Sequence, residues 1–280
     1  MSTSIRRINT LESSFMNTDF QGKTIVVTGA ASGMGKAEAM ALAAESAKVW
    51  VADISVDAGN AVVDEIVSEG GSARFYQLDV TDPKAWDGLA QIIETEDGAL
   101  NGLVNNAGVS HRFGIMDTSI EDWKRVMDIN LSSVFYGMKS LAPLLGKAGG
   151  GSIVNVSSIA GMMGYFAAAY GASKWGVRGL SKTGSLEFAG QHIRVNSIHP
   201  GLVETPLLLS GSTQFVAESL KAVPAGRLAQ AAEIADTVAF LLSDKSRYIT
   251  GTEIVIDGGI SSGGIYHRLM NDLAVTAAAP

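Results

Sequence analysis

The stretch TIVVTGAASGMGKA, residues 24–37, restricts the fold of this chain more than any other. Five consecutive β-branched residues, 24–28, favour a strand. They run into Gly29, Gly33 and Gly35 and then into a helix-forming segment. A strand, a glycine turn and a helix in that order present free backbone N–H groups at a positive helix end, where a phosphate binds. A nucleoside-triphosphate loop requires G-x-x-x-x-G-K followed by Ser or Thr. Here Gly35-Lys36 is followed by Ala37, which has no hydroxyl for Mg²⁺, and residue 30 is alanine where the first glycine belongs. The reading left standing is a dinucleotide pyrophosphate met by Gly29, Ser32, Gly33, Met34 and Gly35.

The next strand candidate, KVWVAD, ends in Asp53, 24 residues after Gly29. An acid about 20 residues beyond the glycine loop holds the adenosine ribose in dinucleotide folds. A carboxylate there accepts from both ribose hydroxyls and repels a 2′-phosphate, and Ser32 supplies no positive charge for such a phosphate. The expected cofactor is NAD rather than NADP. The competing role for Asp53 is to cap a helix starting near Val56. Asp79 and Val80, in LDVTD, are candidates to meet adenine, although Asp79 serves equally to begin the turn before Pro83. Asn106, Ala107 and Gly108, in NNAG, are small enough to let backbone lie against a cofactor, and are also a common turn composition.

Strand candidates at residues 24–29, 48–53, 74–80, 102–108, 152–158, 193–201 and 253–259 alternate with helical spacing over 34–45, 56–69, 122–145 and 169–188. The strands are continuous apolar runs, the pattern of a parallel sheet buried on both faces. The expected fold class is α/β: one doubly wound Rossmann-type domain over residues 21–259, with a seven-stranded parallel sheet. A polar leader (1–20) and a C-terminal tail (260–280) flank it.

Tyr170 and Lys174 are four residues apart, so on a helix they share a face. A free phenol titrates near pH 10, too high for general-base work at neutrality. A neighbouring ammonium lowers that value. The Ser157-Ser158 doublet ends a strand twelve to thirteen residues upstream. Either hydroxyl is placed to hold a substrate oxygen, with Ser158 preferred because it keeps the NVSS strand in register. Acyl-enzyme chemistry is set aside because neither serine, nor Ser173, lies in a G-x-S-x-G elbow.

Taken together, these motifs resemble the short-chain dehydrogenase/reductase family. T-G-x-x-x-G-x-G stands at residues 28–35, N-N-A-G at 105–108, Y-x-x-x-K at 170–174 and P-G at Pro200-Gly201; MDINLSS carries the family's helical asparagine, Asn130. The resemblance implies Tyr170 as general acid/base, Ser158 as the group that orients and polarises the substrate oxygen, and Lys174 as a ligand of the nicotinamide ribose. It implies a proton relay at Asn130, and contacts to the nicotinamide carboxamide after Pro200 and Gly201, from Val203 and Thr205. It also implies a homotetramer, for which helices 122–145 and 169–188 offer apolar surface.

Segments 109–114, 161–166 and 205–215 should surround the substrate. Met162, Met163, Tyr165, Phe166 and Leu207 to Leu209 make that region apolar, which favours a hydrophobic secondary alcohol or ketone, steroid-like or otherwise bulky. His111 and Arg112 are further candidates to touch it. A 3-oxoacyl-thioester reductase would favour NADP and a basic residue near Ser32 or Asp53. A non-catalytic NAD-binding sensor would show a gap among Asn130, Ser158, Tyr170 and Lys174. Neither signature is present.

Composition closes other routes. With no cysteine among 280 residues, disulfides, thiol nucleophiles and Cys-ligated metals are out, and the four scattered histidines show no metal-ligand spacing. A net charge of -7 without a basic tract argues against nucleic acid. No apolar run reaches the about 18 residues of a membrane span. The leader lacks a hydrophobic signal core, so a cytoplasmic location is expected.

Overall fold

A computed structural model describes residues 19–277 of the chain. Nearly all of the expected leader lies outside the described residues. In chain order the elements are β1 (Thr24–Thr28), α1 (Gly33–Ala44), β2 (Lys48–Asp53), α2 (Val56–Ser68), β3 (Ser72–Gln77), α3 (Pro83–Glu96), β4 (Gly102–Asn105) and α4 (Ile120–Met127). They continue with α5 (Ser133–Lys147), β5 (Gly151–Val156), α6 (Ala168–Glu187), β6 (Ile193–Pro200), α7 (Pro206–Leu209), α8 (Thr213–Leu220), α9 (Ala231–Leu242), β7 (Glu253–Ile256) and α10 (Ile260–Ala277). The strands form one sheet in the order β3-β2-β1-β4-β5-β6-β7, and every adjacent pair is parallel.

Side-chain alternation explains why helices cover both faces. Along β1, Ile25 and Val27 join the core packed under α1, α2 and α9, with Leu42, Val62, Ile66 and Val238. Val26 joins the opposite core, with Trp86, Leu89, Leu141 and Val177 of α3, α5 and α6. Neither face tolerates water, so a continuous apolar run is what such a strand requires.

Three kinds of boundary differ from the sequence expectation. β3, β4, β5 and β7 end two to three residues early, because a strand ends where its neighbour's ladder stops, and composition does not mark that point. Residues 122–145 are not one helix: a π-helical turn, Asp128–Ser132, separates α4 from α5, and the polar Asn130 lies within it. The segment after Gly259, expected as a tail, is the helix α10. Its start is held by Asp257, which accepts from the Ser261 N–H at 2.7 Å. Arg268 ties it to Glu218 of α8 at 3.1 Å.

One residue on the inner side of α1 is costly. Glu38 is fully buried, and neither carboxylate oxygen has a hydrogen-bond partner among the described residues. Burial pushes its pKa from the ordinary 4.5 up to about 8, so the folded protein keeps it protonated near neutrality. Because the folded value is the higher one, this residue's contribution is fully present below pH 4.5 and is lost as pH rises towards about 8. Thermal melts should therefore fall with pH across that window, at about 1.4 kcal/mol per pKa unit of separation. The Glu38→Met variant should show a flatter curve and a higher Tm at the alkaline end. Parallel curves for the two proteins would refute the assignment.

Candidate active site

β1 and β4 lie side by side, yet their connections lead to opposite halves of the sheet. Such a switch point leaves a crevice beyond the carboxyl ends of the strands. A cavity of about 570 Å³ lies there.

Its floor is a hydrogen-bonded seam between the ends of β1 and β4. The Asn106 side-chain amide donates to the carbonyls of Thr28 at 2.9 Å and Gly29 at 3.3 Å. The Thr28 hydroxyl accepts from the N–H groups of Asn106 and Ala107 at 3.0 and 3.1 Å. The seam explains two glycines. Gly29 has φ of +63°, and a Cβ there would lie 2.9 Å from the Ala107 Cα. A Cβ on Gly35 would lie 2.3 Å from the Gly29 carbonyl oxygen. Gly35 therefore lets α1 close onto the turn and does not itself line the cavity, whereas Gly29, Ser32, Gly33 and Met34 do.

Asp53, Asp79, Val80, Asn106, Ala107 and Gly108 line the same space. One carboxylate oxygen of Asp53 accepts from the Ala31 N–H at 3.0 Å and the other from the Ser55 N–H at 2.9 Å. The residue thus braces the glycine turn as well as the approach to α2, whose N-cap is Ser55. Asp79 accepts from the Thr81 N–H and hydroxyl at 2.9 and 2.7 Å.

Tyr170 and Lys174 reach the cavity from α6. The Ser158 hydroxyl accepts from the Ala160 N–H at 3.2 Å and acts on the Tyr170 phenol, whose pKa it lowers. Ser157 also lines the cavity, but its hydroxyl is buried and donates to the Lys174 carbonyl at 2.8 Å. The doublet is thereby separated into an inner serine and one at the phenol. Lys174 Nζ donates to the Val156 carbonyl at 2.8 Å and lies 5.8 Å from the Tyr170 ring centroid.

The electrostatics differ from the sequence expectation. Burial pushes the Tyr170 phenol above its ordinary value, opposed by the Ser158 hydroxyl and the Arg112 charge. Burial also lowers Lys174 to about 8. The ammonium is itself desolvated and committed to a backbone carbonyl, so the influences that lower the phenol come from Ser158 and Arg112 instead.

Asn130 is fully buried, and its side chain clamps the backbone of Val109. It accepts from the Val109 N–H at 2.8 Å, donates to the Val109 carbonyl at 3.0 Å and to the Ser173 hydroxyl at 3.2 Å. A Cβ on Gly108 would lie 3.3 Å from Asn130 Oδ1 and 3.5 Å from Lys174 Nζ, so Gly108 packs closely between them. Pro200 and Gly201 end β6 away from the cavity wall, and Val203 is buried against Ala229. Thr205 lines the cavity and caps α7.

Sequence reasoning missed His199. Its Nδ1 lies 3.1 Å from the Ser158 carbonyl and its Nε2 3.0 Å from the Ser197 hydroxyl. A carbonyl only accepts, so Nδ1 carries the proton and Nε2 accepts from Ser197. Burial lowers its pKa and favours this neutral form. The chain motif HPG gives no hint of this; only the pairing of β5 with β6 brings His199 beneath Ser158. Ile54, Thr81, Arg125, Asp128 and Ile129 also line the cavity.

The three segments expected around the substrate do converge. Tyr165 stacks near Tyr170 at 5.9 Å between centroids, Phe166 near Phe215 at 5.6 Å, and Arg112 donates to the Leu207 carbonyl at 2.7 Å.

A family model described as enoyl-(acyl carrier protein) reductase matches residues 29–261. The trans-4-hydroxycyclohexanecarboxylate dehydrogenase of Sinomonas cyclohexanicum is 42% identical over 248 residues, covering 86% of this chain and 93% of its own. A short-chain type dehydrogenase/reductase from Mycobacterium ulcerans superposes with a TM-score of 0.83 at 33% identity, covering 86% of this chain and 90% of that one. A 7α-hydroxysteroid dehydrogenase solved with NADH and 7-oxo glycochenodeoxycholic acid gives a TM-score of 0.83 at 33% identity, covering 87% and 96%. Motif order, sheet topology and similarity along most of its length agree: the chain belongs to the short-chain dehydrogenase/reductase family.

Proposed function

We propose that this protein is an NAD(H)-dependent dehydrogenase that interconverts a bulky hydrophobic secondary alcohol, cyclic or steroid-like, and its ketone. The observation that carries this reading is that Tyr170 and Lys174 line the same cleft as the glycine turn and Asp53, with the Ser158 hydroxyl acting on the phenol. Relatives that act on a hydroxycyclohexane and on a 7α-hydroxysteroid support the alcohol class.

The residues of the cleft fit a dinucleotide. The N-terminus of α1 offers free N–H groups beside a glycine turn too tight for side chains. Each Asp53 oxygen holds one backbone N–H and keeps a second lone pair for a ribose hydroxyl. Bound there, a nicotinamide dinucleotide supplies the hydride acceptor or donor.

The chain's own residues supply the proton and the orientation. The Ser158 hydroxyl holds the substrate oxygen, with its backbone fixed from below by His199. Tyr170 gives a proton to that oxygen during ketone reduction and takes one during alcohol oxidation. Lys174 and the buried Asn130, on either side of Gly108, line the proton's way to and from the phenol. Phe135, Trp175 and Leu186 stand exposed on α5 and α6, which supports a shared bundle in a homotetramer.

Replacing Tyr170 with phenylalanine should lower kcat by about 10²–10⁴-fold and leave NADH affinity, read by fluorescence titration, little changed. Full activity in that variant would end the proposal. Oxidation should speed up and reduction slow down as pH rises, because the phenol must lose its proton in one direction and hold it in the other; equal profiles would contradict that role. For Asp53→Ser, kcat/KM with NAD should drop about tenfold while the NADP-to-NAD ratio rises. A wild-type protein that prefers NADP would overturn the assignment of Asp53.

A further inference from the structure

Arg112 enters the mouth of the site from the loop that joins β4 to α4. Val109, in the same loop, lines the cavity, and so does Leu207 of α7. The Arg112 guanidinium bridges the two segments: Nη2 donates to the Leu207 carbonyl at 2.7 Å. Gly211 packs against its other side. A Cβ there would lie 3.1 Å from Cζ and 3.2 Å from Nε, so the segment after α7 sits close against the guanidinium. The fork is held in place from two directions.

Its charge is felt within the site. Arg112 lowers the phenols of both Tyr165 and Tyr170 against the upward push of burial. Yet among the described residues it forms no ion pair, whereas Arg125, Arg178, Arg227 and Arg268 each meet a carboxylate. One of its five N–H donors is used on a neutral carbonyl, and the others are left for a ligand. The converging segments also bring together the rings of Tyr165, Phe166 and Phe215. A purely hydrocarbon alcohol would gain more from an apolar residue at that position. A planar, pre-positioned guanidinium matches a carboxylate in two parallel hydrogen bonds, and a partly dry site strengthens the pair.

We propose that the pocket selects cyclic secondary alcohols that carry a carboxylate, with Arg112 binding the carboxylate while Ser158 and Tyr170 hold the hydroxyl. This rests on the dehydrogenase reading above. It makes Arg112 a specificity-determining residue, and the substrate's anion would draw the loop and α7 together through the same fork.

The test compares trans-4-hydroxycyclohexanecarboxylate, its neutral primary amide and cyclohexanol as substrates of the full chain with NAD. Wild-type kcat/KM should favour the carboxylate over the amide by about tenfold or more, chiefly through KM. In Arg112→Leu that ratio should collapse towards one, and Arg112→Lys should restore part of it. A residue that only latched the loop to α7 would lower both substrates alike and leave the ratio unchanged. Cyclohexanecarboxylate, which has no hydroxyl to oxidise, gives a readout free of chemistry. Its inhibition constant against cyclohexanol should rise in Arg112→Leu by a similar factor. Absence of the preference in the wild type, or its survival in Arg112→Leu, overturns the carboxylate subsite. If cyclohexanol is oxidised in either of those cases, the dehydrogenase reading stands without it. Failure to oxidise all three overturns the carboxylate subsite, and oxidation of a hydroxysteroid by the same protein then decides the dehydrogenase reading.

Discussion

The seam between the ends of β1 and β4 is the constraint on which the rest of the site depends. Thr28 and Asn106 exchange hydrogen bonds across the switch point, and they fix the glycine turn against the NNAG loop. Gly35 then brings α1 down onto Gly29 at a spacing that no Cβ would allow. The free N–H groups of α1, the carboxylate of Asp53 and the backbone of Ala107 and Gly108 all face one cavity because this seam is closed. Opening it would separate the elements without unfolding any one of them.

A second constraint is the dryness of the chemistry. Tyr170, Lys174 and His199 are all shifted by burial, each towards its uncharged form. Groups held this way change charge only when a neighbour compensates. The compensating groups differ in kind: a hydroxyl from Ser158, a backbone carbonyl from Val156, a guanidinium from Arg112. The site is set for proton exchange with a bound oxygen more than for holding a permanent charge. Glu38 follows the same physics outside the site, where burial costs stability and no hydrogen-bond partner among the described residues offsets it.

His199 and Asn130 illustrate how backbone geometry is maintained around reacting groups. Neither needs to touch a substrate to matter. His199 holds the carbonyl of Ser158 through one tautomer, and Asn130 clamps Val109 from a π-helical turn. A π turn displaces one peptide from the usual ladder, and here the side chain within it takes both backbone groups of a neighbouring loop. A regular helix would present residue 130 at a different angle.

The sequence by itself determined the strand and helix order, the glycine turn, the offset of Asp53 from it and the one-turn spacing of Tyr170 and Lys174. These are local properties, set by β-branching, by backbone freedom at glycine and by helical periodicity, so they are legible along the chain. Strand ends, the interrupted helix around Asn130 and the helix after Gly259 were decided by neighbours that pair with them or pack on them. The different surroundings of Ser157 and Ser158 are tertiary in the same way: one donates to the Lys174 carbonyl and the other acts on the Tyr170 phenol, and the placement of α6 that creates both contacts is not written along the chain. The source of the charge acting on Tyr170 was likewise tertiary, because Arg112 is 58 residues away in sequence and proximity at that separation is created by folding alone.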